Sequence, residues 1–212
     1  MKKMNIVSLL LGMVQTNCYL LQNQETKEVL IVDPADAAER IQQKLREMGG
    51  RAAAILLTHG HFDHMMAAGE LKERLEIPIY ACRQEERLLA DSSLNLSGSW
   101  ASPCTLRADE LLEEGQELTL AGFSLQVLHT PGHTEGSCCY YFPQEDVLIS
   151  GDTLFEGSVG RTDFPTSSGG DMMRSLHRLL EELPEETRVW PGHGETTRIG
   201  HEKKYNPAAR FA

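Results

Sequence analysis

Short apolar runs, each closed by a glycine-rich or acidic turn, recur along this chain. Met4 to Val14 and Cys18 to Leu21 flank the polar stretch Gln15-Thr16-Asn17, which predicts a first hairpin. Val29 to Val32, ended by Asp33-Pro34, reads as a strand and turn. Ala38, Ile41, Leu45 and Met48 fall at helical spacing before Gly49-Gly50. Ala53 to Leu57 is the next strand. Met65, Ala68, Leu71 and Leu75 predict a helix beginning just after His64 and closed by Ile77-Pro78. Ile79 to Cys82 reads as a strand and Gln84 to Ala90 as a short helix. Glu117 to Leu120 and Phe123 to His129 flank Ala121-Gly122, a tight hairpin. Ser137 to Phe142 and Val147 to Ser150 are two further strands. Met172, Met173, Leu176 and Leu179 or Leu180 mark a later helix that Pro184 ends. Strands mixed with helices, hairpins included, predict a mixed sheet system with helices outside it.

One stretch breaks this rhythm. Residues 91–104 carry Ser92-Ser93, Asn95, Ser97-Gly98-Ser99 and Pro103, a long loop of the kind that serves as a lid or stays mobile. Trp100 within it could line a substrate channel, but core packing is the default expectation for a tryptophan. No repeat, low-complexity tract or linker divides the chain, so residues 1–212 are read as one domain.

Four of the apolar runs end in a glycine beside a ligand-type residue. Leu57 leads to Thr58-His59-Gly60-His61-Phe62-Asp63-His64, Leu128 to Pro131-Gly132-His133, Ile149 to Gly151-Asp152, and Trp190 to Pro191-Gly192-His193. Two residues apart in an extended segment, His59 and His61 project to one side. Asp63 and His64 follow where the chain turns into a helix and project elsewhere, so the cluster splits into two pairs aimed at neighbouring points. Imidazole suits zinc, iron, copper or nickel, and a carboxylate can bridge two ions. A lone histidine after a strand, such as His133, is ordinarily structural; the dense cluster at 59–64 is not explained that way. His129 reads as a packing residue or a support to the ligands, and His177 and His201 as solvated.

The remaining composition narrows the partners. Lys and Arg total 20 against 31 Asp and Glu, a net charge of −11, which argues against a nucleic-acid partner. No apolar stretch is long enough to span a membrane. Met1-Lys2-Lys3 followed by an apolar run superficially resembles a signal peptide, but Asn5 and Ser8 interrupt it and no small-residue cleavage site follows. Five cysteines without a C-x-x-C fit a reducing compartment, so a cytoplasmic protein is expected. Cys138 and Cys139, adjacent in a strand, should point to opposite faces.

With these motifs in place the chain resembles the metallo-β-lactamase superfamily. The likeness runs from Asn17-Cys18-Tyr19 through Thr58 to His64, Thr130 to Thr134 and Gly151-Asp152-Thr153 to Pro191-Gly192-His193-Gly194. The resemblance implies an α/β fold, a four-layer αββα sandwich with the site at one edge. It also implies that His59, His61 and His133 hold one metal ion, that Asp63, His64 and His193 hold a second, and that Asp152 bridges them. Within the superfamily the chain is similar to the glyoxalase II group, hydroxyacylglutathione hydrolases, through Gly151 to Phe155 and Gly160-Arg161-Thr162-Asp163-Phe164. The best-known zinc β-lactamases carry a cysteine where Asp152 stands, which disfavours lactam hydrolysis. Full-length glyoxalase II adds a helical domain that helps bind glutathione, whereas this chain ends at Ala212, so the short single-domain form is expected.

The implied cofactors are two divalent metal ions, with zinc expected and iron or manganese as alternatives. Two ions about 3.5–4 Å apart can share a hydroxide at neutral pH. Its attack on a small-molecule thioester, such as S-lactoylglutathione, would expel a thiolate whose reference pKa of about 8.5 needs no strong acid. Asp63 and Asp152 are the candidate catalytic carboxylates. The resemblance implies that Arg161, nine residues after Asp152, is the candidate substrate-binding residue, and a guanidinium fits a substrate carboxylate; a structural arginine satisfying loop carbonyls is the other reading. Two alternatives stand beside the hydrolase: a mononuclear iron persulfide dioxygenase, which the Gly160 to Phe164 segment also resembles, and a non-catalytic metal-binding module.

Overall fold

The computed structural model describes residues 3–210; Met1 and Lys2, where the signal-like segment begins, lie outside the described residues. The first sheet has strands in sequential order: β1 (Met4–Leu11), β2 (Thr16–Asn23), β3 (Glu28–Val32), β4 (Arg51–Leu56), β5 (Ile79–Cys82) and β6 (Glu110–Leu112). Its first three strands pair antiparallel and its last four parallel. The second sheet uses β7 (Glu117–Leu120), β8 (Phe123–His129), β9 (Cys138–Phe142), β10 (Val147–Gly151), β13 (Arg188–Pro191) and β14 (Thr197–Arg198), in the order β14-β13-β10-β9-β8-β7. Between β10 and β13 a small hairpin, β11 (Leu154–Phe155) and β12 (Ser158–Val159), stands apart.

Among the described residues seven α-helices join them: α1 (Ala38–Glu47), α2 (Phe62–Met65), α3 (Ala68–Leu75), α4 (Glu86–Leu89), α5 (Ser97–Trp100), α6 (Gly169–Glu182) and α7 (Ile199–Tyr205). The period-two alternation of the strands divides the apolar residues into three buried layers. Cys18, Leu20, Val29 and Ile31 face α1 and α3. Tyr19, Leu21, Leu30 and Val32 face the other sheet and meet Cys138, Tyr140 and Phe142 there. Cys139 points the opposite way, into the layer beneath α6 and α7, as the adjacent cysteines lead one to expect. The result is helix, sheet, sheet, helix: the α/β sandwich of the metallo-β-lactamase fold. The tight hairpin forms at Ala121-Gly122, where both residues take positive φ (51° and 73°), the requirement of a primed two-residue turn.

Several of these expectations need correction, and the C-terminal residues add an element that the sequence pattern did not predict. The helix after His64 is broken into α2 and α3, because the Ala67 N–H turns aside to the Pro34 carbonyl (3.0 Å). Residues 91–104 are pinned by a buried network: the Asn95 side chain bridges the Ser97 N–H and the Cys104 carbonyl, while its own carbonyl accepts from the Phe62 N–H. Trp100, on α5, is 57% exposed and not in the core. The C-terminal residues form α7, whose buried Glu202 accepts from the Gly157 N–H and from Asn206 Nδ2; they brace the β11–β12 hairpin from beneath. His177 is half-buried on α6, its Nε2 shut away from solvent, so only His201 of that pair is solvated.

Candidate metal centre

The parallel strands β3, β4, β10 and β13 all end at the same edge of the sandwich, and the ligand-type residues follow them there. His59 and His61 lie just past β4, Asp63 and His64 in the first turn of α2, Asp152 just past β10 and His193 just past β13; His133 comes from the loop after β8. His59, His64 and His133 are 0–3% exposed, His61 2% and Asp152 8%. The candidate metal-holding groups are His59, His61 and His133; Asp63, His64 and His193; and His59, His64 and Asp152, each with its donor atoms within 4.8 Å of one another. The sequence-predicted ligands are therefore brought together, all seven of them.

Asp152 lies between the two triads. Its Oδ2 is 3.4 Å from His133 Nε2 and 3.5 Å from His193 Nε2, and its Oδ1 is 3.5 Å from His64 Nε2. His61 Nδ1 and His133 Nε2 face each other at 2.9 Å, and His64 Nε2 and His193 Nε2 at 3.4 Å. His59 Nε2, His61 Nε2 and Asp152 Oδ1 are buried with no hydrogen-bond partner. Buried polar atoms are otherwise nearly always paired, so converging, unpartnered nitrogens and a carboxylate oxygen fit a divalent cation by their chemistry.

The electrostatics agree. Burial, reinforced by the neighbouring imidazoles, holds His59 and His61 well below the usual histidine range, so both are neutral donors. Burial alone would raise the Asp63 carboxyl, but His64, His193 and His61 together hold it well below the usual carboxylate range. Burial alone would lower His64, yet Asp152, Asp63 and Asp33 push it up to about 10. Positive charge is favoured at the Asp63–His64–Asp152 side of the site.

Residues behind the donors fix their orientation. Asp33 Oδ2 accepts from His64 Nδ1 (2.9 Å) and Thr58 Oγ1 (2.6 Å), and its Oδ1 from the Thr58 N–H (2.8 Å). His133 Nδ1 donates to the Arg161 carbonyl (2.9 Å). Thr16 Oγ1 donates to Asp63 Oδ2 (3.2 Å). Asn17 Nδ2 and Tyr19 Oη both donate to the Pro191 carbonyl, which ties the His193 loop to β2. Asp33 was read from sequence only as a turn. The signal was present, since it too is an acid directly after an apolar strand, but without a histidine nearby the pattern did not stand out. His129 takes no place in the site; its Nε2 bonds the Glu135 carbonyl.

A cavity of about 420 Å³ opens above the donors. Its floor is ligand-type; its walls are Val14, Trp100, Phe155, Val159 and Phe164, with Arg161 at the mouth. The Arg161 side chain does not satisfy loop carbonyls. It makes two bonds to Asp163 (2.6 and 2.7 Å) and lies 4.0 Å from the centre of the Phe164 ring.

Residues 11–193, which carry every one of these donors, match the family model described as the Metallo-beta-lactamase superfamily. The chain belongs to that superfamily. It is 42% identical over 202 residues to the probable metallo-hydrolase YqgX of Bacillus subtilis (strain 168), covering 92% of this chain and 93% of that protein. It is 35% identical over 210 residues to the hydroxyacylglutathione hydrolase GloC of Haemophilus influenzae, covering 96% and 97%. Among solved structures, the BLEG-1 B3 metallo-beta-lactamase superposes with a TM-score of 0.92 at 40% identity, over 97% of this chain and 99% of that one. TTHA1623, crystallised in a di-iron-bound form, superposes with a TM-score of 0.85 at 39% identity, over 95% and 98%. These relatives place the superfamily member described here among metal-dependent hydrolases. Among the described residues no helix is long and apolar enough to cross a membrane.

Proposed function

We propose that the protein is a binuclear metal-dependent hydrolase of small-molecule thioesters. His59, His61 and His133 would hold one divalent ion, Asp63, His64 and His193 the second, with Asp152 shared between them. The observation that carries the reading is the convergence of these seven side chains, with buried donor atoms left unpartnered. When bound, such ions supply a water acidified toward a pKa of about 7 and a Lewis acid for a carbonyl oxygen.

The chain's own residues supply the rest. The reaction adds water across the acyl C–S bond: a C–O bond forms, the C–S bond breaks, and acid and thiol leave. Asp63, kept ionised and oriented by Thr16, would accept a hydrogen bond from the attacking water and so orient it. The leaving thiolate needs no strong acid, and no further titratable group among the lining residues is required for that role. Arg161 offers its guanidinium to a substrate carboxylate at the mouth, while Trp100, Phe155 and Phe164 keep water from the acyl group. The 35% identity to a hydroxyacylglutathione hydrolase supports S-lactoylglutathione as the first substrate to try. Zinc is the expected metal, and the di-iron form of a 39% identical protein keeps iron in view.

The test is elemental analysis of purified protein beside an S-lactoylglutathione hydrolysis assay. Two ions per chain are expected, with hydrolysis lost in both His59→Ala and Asp152→Ala while folding stays intact. Wild-type turnover in either variant would sink the assignment. The likeness to BLEG-1 favours a second reading, hydrolysis of a β-lactam amide, so the same panel carries β-lactams. One iron per chain with oxygen uptake on a persulfide would replace both by the dioxygenase. No turnover from a fully loaded, folded protein would leave a metal-binding module.

A further inference from the structure

His59 and His61 sit on residues 57–61 and His133 on residues 130–137, two irregular loops that come from different sheets. The Cys138 N–H donates to the Thr58 carbonyl (2.8 Å) and joins their outer ends, but no strand ladder continues to the histidines themselves. Glu85, in the 3-10 turn Arg83–Glu85 after β5, touches both. Its side chain is fully buried. Its Oε1 accepts from the Gly60 N–H (2.8 Å), between His59 and His61. Its Oε2 accepts from Thr134 Oγ1 (3.0 Å), beside His133, and the Gly136 N–H also donates to the carboxylate.

Among the described residues no lysine or arginine pairs with Glu85. A buried carboxylate without a cation is costly, and a neutral group could have filled the space. The packing around it is close. A Cβ on Gly136 would lie 2.3 Å from both the Glu85 nitrogen and its Oε2, and one on Gly60 would lie 2.7 Å from Leu89 Cδ2. The Arg83 to Leu89 segment is thus seated directly on both histidine loops, with no room for a side chain at either contact.

We propose that Glu85 is a positioning residue for the three-histidine half of the site: its carboxylate spans the two loops and sets the approach of His61 to His133. The proposal rests on the metal-site reading above. It predicts selectivity, because the other half has separate supports. Asp63, His64 and His193 are held by Thr16, Asp33 and Asn17, and no hydrogen bond links Glu85 to them.

The experiment isolates each half. His193→Ala leaves the three-histidine group, and His61→Ala leaves the Asp63–His64–His193 group. Glu85→Gln and Glu85→Ala are added to each background. Zn²⁺ affinity is measured by competition with a chromophoric chelator, and melting of the ion-free proteins is followed in parallel. In the His193→Ala background Glu85→Ala should weaken affinity by about 10–100-fold, the range of a group that orients ligands from behind. Glu85→Gln, which keeps the shape but turns one acceptor into a donor facing an N–H or hydroxyl, should fall between. In the His61→Ala background affinity should change by less than about threefold. Equal loss in both backgrounds would reduce Glu85 to general fold support and overturn the proposal, as would no loss in either. If Glu85→Ala does not fold, Glu85→Gln alone decides the matter by the same contrast. A wild type that hydrolyses no thioester leaves this test standing, since it reads binding; a wild type that takes up no ion sinks both readings.

Discussion

His61 on the floor of the cavity is 2% exposed and Trp100 at its mouth 57% exposed, although both border the same space. Three of the donors are held from behind: His64 by Asp33, His133 by the Arg161 carbonyl, Asp63 by Thr16. At the mouth, Arg161 is held only by its sequence neighbour Asp163 and by the Phe164 ring, in solvent. Donor geometry tolerates little displacement, so it is built from buried bonds that must all form together. Substrate contact area tolerates more, and the side chains that provide it are supported loosely.

The sharpest way to break this contrast is Asp33→Ala. It leaves His64 Nδ1, Thr58 Oγ1 and the Thr58 N–H without their shared acceptor. A loss of about 3–5 kcal/mol in denaturant unfolding is expected, with ion affinity weakened by about 10–100-fold. A variant as stable and as tightly metallated as wild type would show that the floor is not held from behind at all. Arg161→Ala should act differently: KM for an anionic thioester rises by roughly tenfold while kcat stays within about twofold, the signature of uniform binding lost. A large drop in kcat with KM unchanged would assign Arg161 to the floor. Trp100→Ala should be milder, with KM raised a few-fold and stability changed by no more than about 0.5 kcal/mol. A collapse of stability would place Trp100 in the core after all.

The smallest effect is in pH. Burial pushes the Glu85 carboxyl up to about 7 from its ordinary value of 4.5, against the bonds from Gly60, Thr134 and Gly136 that lower it. A group raised on folding binds more protons in the folded state between those values. Its contribution to stability is therefore complete below 4.5 and is lost as pH rises through about 7. Ion-free wild type should lose stability relative to Glu85→Gln across that window, in paired melting curves. The opposite slope would mean that the three donors outweigh burial.

The same division decided what could be read in the chain. Strand alternation, the Ala121-Gly122 turn and the cluster at 59–64 are local patterns, and each formed where the sequence placed it. His133, Asp152 and His193 were legible because each repeats the strand-then-ligand motif. Glu85 was not, because its partners at Gly60 and Thr134 are distant in sequence and carry no signal of needing an acceptor. Trp100 misled for the converse reason: its size argues for burial, but α5 sits on the rim of a cavity, where an exposed indole has something to touch. The segment around it looked loose because Ser and Asn favour turns; here Asn95 and Ser97 use that same hydrogen-bonding capacity to fasten it.

Arg161 joins the two regions in one residue. Its carbonyl holds His133, while its side chain faces the mouth. Any amino acid supplies that carbonyl, so on the function proposed above mutation at this position would retune which substrates are accepted without dislodging the histidine. Such an arrangement lets a lineage explore new substrates one substitution at a time from an enzyme that still works, and it makes position 161 the natural first site to randomise in directed evolution of this scaffold.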